Sequence, residues 1–136
     1  MANDLNRRVI EEFRENAGRV GGNYEGRPLL LITTTGRKTG RTHTTPVMYL
    51  ADGDGYCVFA SKGGAPEHPA WYLNLVANPR VIAEVGTERF DARATVLGPD
   101  ERDAIYRKQA SLYSQFTEYE RKTARTIPVV RLTRTK

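Results

Sequence analysis

From Leu29 onward the chain is cut into short apolar and β-branched runs by glycine-bearing joints, and that spacing limits what it can fold into. Leu29–Thr34 and Thr44–Leu50 flank Gly36-Arg37-Lys38-Thr39-Gly40, and Ala51-Asp52-Gly53-Asp54-Gly55 leads into Tyr56–Ala60. Gly86 separates Arg80–Val85 from Glu88–Leu97, and Ile127–Leu132 ends the series. Parallel neighbours need crossovers of a dozen residues or more, so joints this short predict antiparallel pairing. Six strands in one small domain leave exposed edges unless they curl, which predicts a barrel. In the fifth run Phe90, Ala92, Ala94 and Val96 alternate with Asp91, Arg93 and Thr95, as a strand with one inner face requires.

Helices interrupt and flank these runs. Leu5, Val9, Phe13 and Ala17 recur every four positions among charged residues, the pattern of an amphipathic helix packed on something else. Gly18, Gly21, Gly22 and Gly26 end it, so residues 1–27 read as a helix and linker, and 28–136 as the barrel, one domain overall. Pro69–Asn78 reads as a second helix with proline at its first position and Trp71, Tyr72, Leu75 and Val76 on one face. Pro99-Asp100-Glu101 opens a third helical stretch, with acids where the helix dipole favours them, running to about Lys122 with a break near Ser114. The order βββ-α-ββ-α-β predicts an α+β fold: about six mostly antiparallel strands with flanking helices.

Charge narrows the function classes. The net charge is +5, yet Arg27–Ala51 holds four cations without an acid and Arg121–Lys136 holds six, so the rest of the chain is acidic. Two basic segments on an acidic body fit an anionic partner held at a defined place, and by composition alone fit solvated charge on loops equally well. A small basic barrel could instead bind nucleic acid, but the aromatics fall mostly on predicted helices, whereas stacking platforms lie on strands. The longest aliphatic run, Leu29–Ile32, is far short of the ~20 residues of a membrane span. Met1–Arg14 alternates charge with apolar residues and offers no secretory apolar region. One cysteine, Cys57, fits a reducing cytosol and reads as a small buried hydrophobe. His43 and His68 lack zinc-ligand spacing, so no metal is expected.

The strongest local signal is Thr33-Thr34-Thr35-Gly36-Arg37-Lys38-Thr39-Gly40-Arg41. Its glycines permit a concave nest of N–H groups, and its cations and hydroxyls would complete an anion site; taken alone, a basic hairpin turn is more often just a soluble turn. Ser61–Pro69 joins a strand end to the Trp71 helix, and Gly63-Gly64 would let a ligand approach the backbone. Tyr113, Phe116 and Tyr119, spaced three apart, lie along one side of a helix as core or as a wall over a flat ring. His68, before a proline, reads as a turn or cap residue. No nucleophile elbow or paired-carboxylate motif occurs, so any reaction would be carried by a cofactor.

Four ordered blocks then carry a resemblance. Leu31–Gly40 with Pro46 and Tyr49, Ala60-Ser61-Lys62-Gly63-Gly64, Pro69–Leu75 with Asn78-Pro79, and Arg125-Thr126-Ile127-Pro128-Val129 are similar to the deazaflavin-dependent nitroreductase and quinone reductase family. The resemblance spans about Leu29 to Leu132. It implies a split β-barrel of the flavin-binding type, with residues 28–136 as the cofactor-binding domain and reduced coenzyme F420 as hydride donor. Acceptors in such a family are quinones, nitro compounds and unsaturated lactones. By position, Arg37, Lys38 and Thr39 would hold the cofactor's phosphate and acidic tail, and His43, Thr44, Thr45, Pro46, Val47 and Met48 would line its next part. Phe59, Ala60, Ser61 and Lys62 would border the ring, with Ala70, Trp71, Tyr72, Leu73 and Asn74 from the helix start. Ser61, Tyr113, Phe116 and Tyr119 would face the substrate, and the hydroxyls of Ser61, Tyr113 and Tyr119 could hydrogen-bond the developing charge. Members that activate nitroimidazoles carry tyrosine where Phe116 stands.

Flavin mononucleotide, which related split barrels bind, is the alternative cofactor, and a non-catalytic cofactor carrier is the alternative role. The short, charged amino-terminal arm points to the cytosol, with at most weak peripheral contact at the inner face of the membrane. A small-molecule electron acceptor is the expected partner, nucleic acid is not, and a monomer is the expected state.

Overall fold

Leu29–Thr35 (β1) opens on four apolar residues and is buried along almost its whole length because both of its faces are covered. The computed structural model describes residues 2–135, with the backbone alone described for residues 2–5 and 23, so the side chain of Leu5 lies outside the description. On one face of β1, Leu30 and Ile32 enter the barrel core with Val58, Trp71, Val81 and Val130. On the other, Leu29 and Leu31 lie beneath Val9 and Phe13 of the first helix, Ala2–Glu15 (α1). Each such side chain, fully buried, contributes about 1.5–3 kcal/mol.

The remaining strands are Thr42–Asp52 (β2), Gly55–Phe59 (β3), Arg80–Val85 (β4), Glu88–Val96 (β5) and Val129–Arg134 (β6). They close a barrel in the order β1-β2-β3-β6-β5-β4, every ladder antiparallel, as the short joints required. β2 is longer than its sequence signal and serves two neighbours in turn. Thr42–Met48 pairs with β1, and Tyr49–Asp52 pairs with β3. Beyond Met48, toward the start of the strand, no ladder covers the other edge of β2 among the described residues, and the barrel is split there.

Three helices complete the chain: Ala70–Ala77 (α2), Pro99–Leu112 (α3) and Gln115–Lys122 (α4). The break falls at Tyr113-Ser114, and the Tyr106 hydroxyl donates to the Phe116 carbonyl at 2.6 Å, holding α4 on α3. α2 plugs the barrel through Trp71, Asn74 and Leu75, and here the structure corrects the expected face. Val76 is exposed, because the buried stripe takes the polar Asn74 at the position three beyond Trp71. Pro69 caps α2 rather than opening it. Val96 also turns out, since β5 leaves the sheet there and Leu97 goes in, its N–H donating to the Val129 carbonyl at 3.0 Å.

Ala17 falls outside α1. The helix stops at Glu15, Ala17 and Gly18 have φ of 57° and 93°, and the Gly18 N–H returns to the Phe13 carbonyl at 2.8 Å. A Cβ on Gly18 would lie 2.9 Å from the Gly86 Cα, so two backbones touch where the linker crosses the β4–β5 turn. Arg14 fixes the helix further by a two-pronged bond to Glu84 on β4, at 3.0 and 2.8 Å. Cys57 is fully buried, and burial with the nearby Asp52 carboxylate pushes its thiol pKa up to about 11, so it is an inert core residue. No helix among the described residues is long and apolar enough to cross a membrane.

Candidate active site

Because Thr42–Met48 of β2 pairs with β1 alone, the other edge of that stretch is available to a ligand. The Tyr49 N–H donates to the Pro28 carbonyl, so by alternation His43, Thr45 and Val47 turn their amides to β1. Thr44, Pro46 and Met48 then face the open edge, and Pro46 sits where a missing N–H removes no ladder bond.

Two hollows run along this edge. The first, about 630 Å³, has Thr45, Pro46, Val47 and Met48 as its floor. Its walls are Phe59, Ser61, Lys62, Gly63, Pro69 and Trp71 on one side and Gln115, Phe116 and Tyr119 of α4 on the other, with Tyr24 and Arg27 of the linker at its mouth. The second, about 640 Å³, is bounded by Thr42, His43, Thr44, Ala70 and Asn74, with Asn6 and Ile10 of α1. Thr45, Lys62, Pro69 and Trp71 belong to both, so the two form one elongated groove.

The loop between β3 and α2 is held in an unusual shape. Lys62, Gly63 and Gly64 all have positive φ, of 47°, 63° and 85°. Gly64 lies against α4, where a Cβ would come within 2.9 Å of the Tyr119 carbonyl oxygen, so only glycine lets the loop meet the aromatic wall. Arg125 ties the loop together. Its guanidinium donates to the carbonyls of Ala60 at 3.1 Å, Ser61 at 2.9 Å and Ala65 at 3.0 Å, and meets His68 Nδ1 at 3.0 Å. Burial and the Arg125 charge both hold the His68 pKa below its usual value, so the ring is neutral near pH 7 and accepts through Nδ1. Lys62 reaches Glu67 at 3.0 Å, and that hydrogen bond with its charge lowers the Glu67 pKa.

The basic turn differs from its expected form. The N–H groups of Gly36, Arg37, Gly40 and Arg41 are already bonded, to Arg41 O, Asn74 Oδ1, Gly36 O and Thr39 Oγ1. It is therefore no open nest of those four amides. Gly36 is required by crowding: a Cβ would lie 3.0–3.1 Å from Thr39 Oγ1, Arg41 O and His43 Nε2. Arg37 is anchored to the groove, its Nη1 at 3.0 Å from Asn74 Oδ1, while Asn74 Nδ2 donates to Thr34 Oγ1 at 3.3 Å.

Of the residues singled out from sequence, the groove brings together Thr45 through Met48, Phe59, Ser61, Lys62, Trp71, Phe116 and Tyr119 at one end. His43, Thr44, Ala70 and Asn74 join at the other. Lys38 and Thr39 are exposed on the turn beyond it, Ala60 is wholly in the core, and Leu73 lies outside both walls. Tyr72 stacks on His68 with ring centres 4.8 Å apart, and Tyr113 packs behind the wall with Arg27 over its ring at 5.9 Å. Sequence reasoning missed Asn6, Ile10, Tyr24, Arg27, Gln115 and the clamp at Arg125. Arg125 stood within a quoted motif, and that was its one visible signal.

A long groove with aromatic walls and cations near both ends suits an elongated group made of a flat ring and an anionic chain. The family model described as F420H(2)-dependent quinone reductase matches residues 5–134. The chain belongs to this family. An F420H(2)-dependent quinone reductase of Mycobacterium tuberculosis (strain H37Rv) is 43% identical over 126 residues, 90% of this chain and 85% of the relative. A solved F420-H2 dependent reductase, FDR-A, aligns with a TM-score of 0.71 at 39% identity, over 78% of this chain and 94% of its own. Another solved structure, described as a domain-swapped dimer, aligns at 0.73 with 35% identity over 97% and 99%. This member of the family is an F420-dependent oxidoreductase on a split β-barrel, and coenzyme F420 is its cofactor.

Proposed function

We propose that this reductase passes a hydride from reduced coenzyme F420 to a quinone bound in the same groove. The observation that carries the reading is the pair of hollows sharing Thr45, Lys62, Pro69 and Trp71 along the open edge of β2. When bound, the deazaflavin supplies the hydride. The protein supplies its seat: the ring beside Ser61, Phe59 and Trp71, and the anionic chain past His43 and Asn74 toward Arg37, with Lys38 and Thr39 beyond. The acceptor lies against Phe116, Tyr119 and Gln115. Holding two flat reactants face to face is worth up to roughly 7–11 kcal/mol in ideal cases. Ser61 and Tyr119 both line the wall; their hydroxyls would hydrogen-bond the acceptor, with water supplying the proton.

Phe116 bears on acceptor choice. Its ring is buried between Phe59, Tyr106 and Tyr119, with centres 5.4, 6.1 and 5.2 Å away, and presents carbon alone to the cleft. Quinones suit such a wall better than nitroimidazoles, whose activating relatives carry a hydroxyl there; nitroaromatics and unsaturated lactones are further acceptors to assay. We place the enzyme in the cytosol as a monomer.

The reading is tested by titrating the purified protein with coenzyme F420 and with flavin mononucleotide, then assaying quinones, nitro compounds and lactones with the reduced cofactor. Binding of the deazaflavin with turnover of quinones is expected. Tight flavin binding without deazaflavin binding overturns it, and binding without turnover across the panel makes the protein a carrier.

A further inference from the structure

The cleft wall carries two cations, and their circumstances differ. Lys62 is matched by Glu67 at 3.0 Å. Arg27, at the opposite side of the mouth, has no carboxylate partner among the described residues, yet it is held in place. Its Nη1 donates to Gln115 Oε1 at 2.6 Å and touches Met48 Sδ at 4.0 Å, and Gln115 Nε2 in turn reaches the same sulfur at 3.9 Å. The guanidinium lies over the Tyr113 ring at 5.9 Å, and the Arg27 N–H bonds the Tyr24 carbonyl at 3.0 Å. One of five donors is thus spent on Gln115, and the held positive charge lines the same cleft as Phe116 and Tyr119 with no carboxylate partner among the described residues.

On the reading above the acceptor lies in this same cleft, and hydride transfer would create an anion on it. A neutral quinone that accepts a hydride becomes a hydroquinone monoanion: one carbonyl oxygen takes the hydrogen with its electron pair, and the other becomes O⁻. The two electrons come from the reduced deazaflavin, which is oxidised, and a proton from water then completes the hydroquinone. The charge is absent in the ground state and nearly full after transfer, so a preorganised cation beside that oxygen acts on the barrier rather than on binding.

We propose that Arg27 is the residue that stabilises the acceptor's oxyanion, a role that rests on the cofactor and quinone reading above. It adds a charged donor from the linker to the hydroxyls of Ser61 and Tyr119. Gln115 is the residue that aims it.

The test compares the parent protein with Arg27→Gln and Arg27→Lys. Deazaflavin affinity, read by ring fluorescence, should stay within about twofold, while kcat for a neutral quinone falls about 100-fold in Arg27→Gln with a smaller change in KM. Arg27→Lys should recover part of kcat, because the charge is kept and the planar fork is lost. A readout without turnover uses protein loaded with the oxidised cofactor: pentachlorophenol, ionised at neutral pH, should bind about tenfold more tightly than its methyl ether, and Arg27→Gln should erase the preference. No preference in the parent, or one that survives Arg27→Gln, overturns the proposal. So does a variant that loses cofactor affinity with kcat intact, which would seat the cofactor's own anion on Arg27. A parent protein that binds no deazaflavin sinks the cofactor reading itself, a distinct result.

Discussion

At the scale of single residues, Arg125 and Gly64 set the shape of the loop that walls the groove. Replacing Arg125 with glutamine strips the carbonyls of Ala60, Ser61 and Ala65 of a charged donor. We expect a loss of about 2 kcal/mol in urea denaturation, accompanied by weaker cofactor binding because Ser61 and Lys62 lose their fixed positions. The same substitution removes the cation that, with burial, depresses the His68 pKa. A histidine held below its usual 6.5 binds fewer protons folded than unfolded, so its contribution is present above that pH and is lost as the pH falls through it. The parent's stability should therefore decline from neutrality toward pH ~5, with a shallower decline in Arg125→Gln. Neighbouring glycines separate strain from crowding. Gly63→Ala meets nothing within 4 Å and should cost about 1 kcal/mol for its positive φ alone, whereas Gly64→Ala also meets the Tyr119 carbonyl and should cost several-fold more in thermal melts.

Helices and strands raise the question of what could be read in advance. The strands were legible because alternation and glycine joints are local signals: β4 runs over Arg80–Val85 as expected, and the other five shift by at most two residues at either end. Helix faces were less so. Asn74 is buried because Thr34 and Arg37 satisfy it from forty and thirty-seven positions away, and no window along α2 contains those partners. The site divides in the same way. Motif residues on β2, on the glycine loop and on α2 converge, whereas Tyr24 and Arg27 reach the cleft through a linker that four glycines mark only as bent. On α4, Phe116 gives a direct check. Phe116→Tyr places a hydroxyl on the wall proposed to face the acceptor, so acceptor ranking should change by about tenfold while deazaflavin affinity holds; an unchanged ranking would take Phe116 off that wall.

Across the whole molecule, the charge distribution and the groove belong together. The basic turn stands at the end of the groove opposite the linker, tied to it through Arg37 and Asn74. Arg37→Ala should weaken cofactor binding more than Lys38→Ala, since it also frees Asn74, and both effects should shrink as salt rises. Equal affinities in fluorescence titrations at low salt would remove the turn from the site.

The one-sided stretch of β2 has a consequence for how the protein behaves when empty. A strand rim with no ladder partner among the described residues invites a stray segment to zip onto it, and Pro46 interrupts that row at its middle. Coenzyme lying there would act as a missing sheet neighbour, raising the melting temperature and keeping molecules apart. Pro46→Ala should leave the loaded enzyme well behaved while its cofactor-free form clumps on standing, a contrast that light scattering would register.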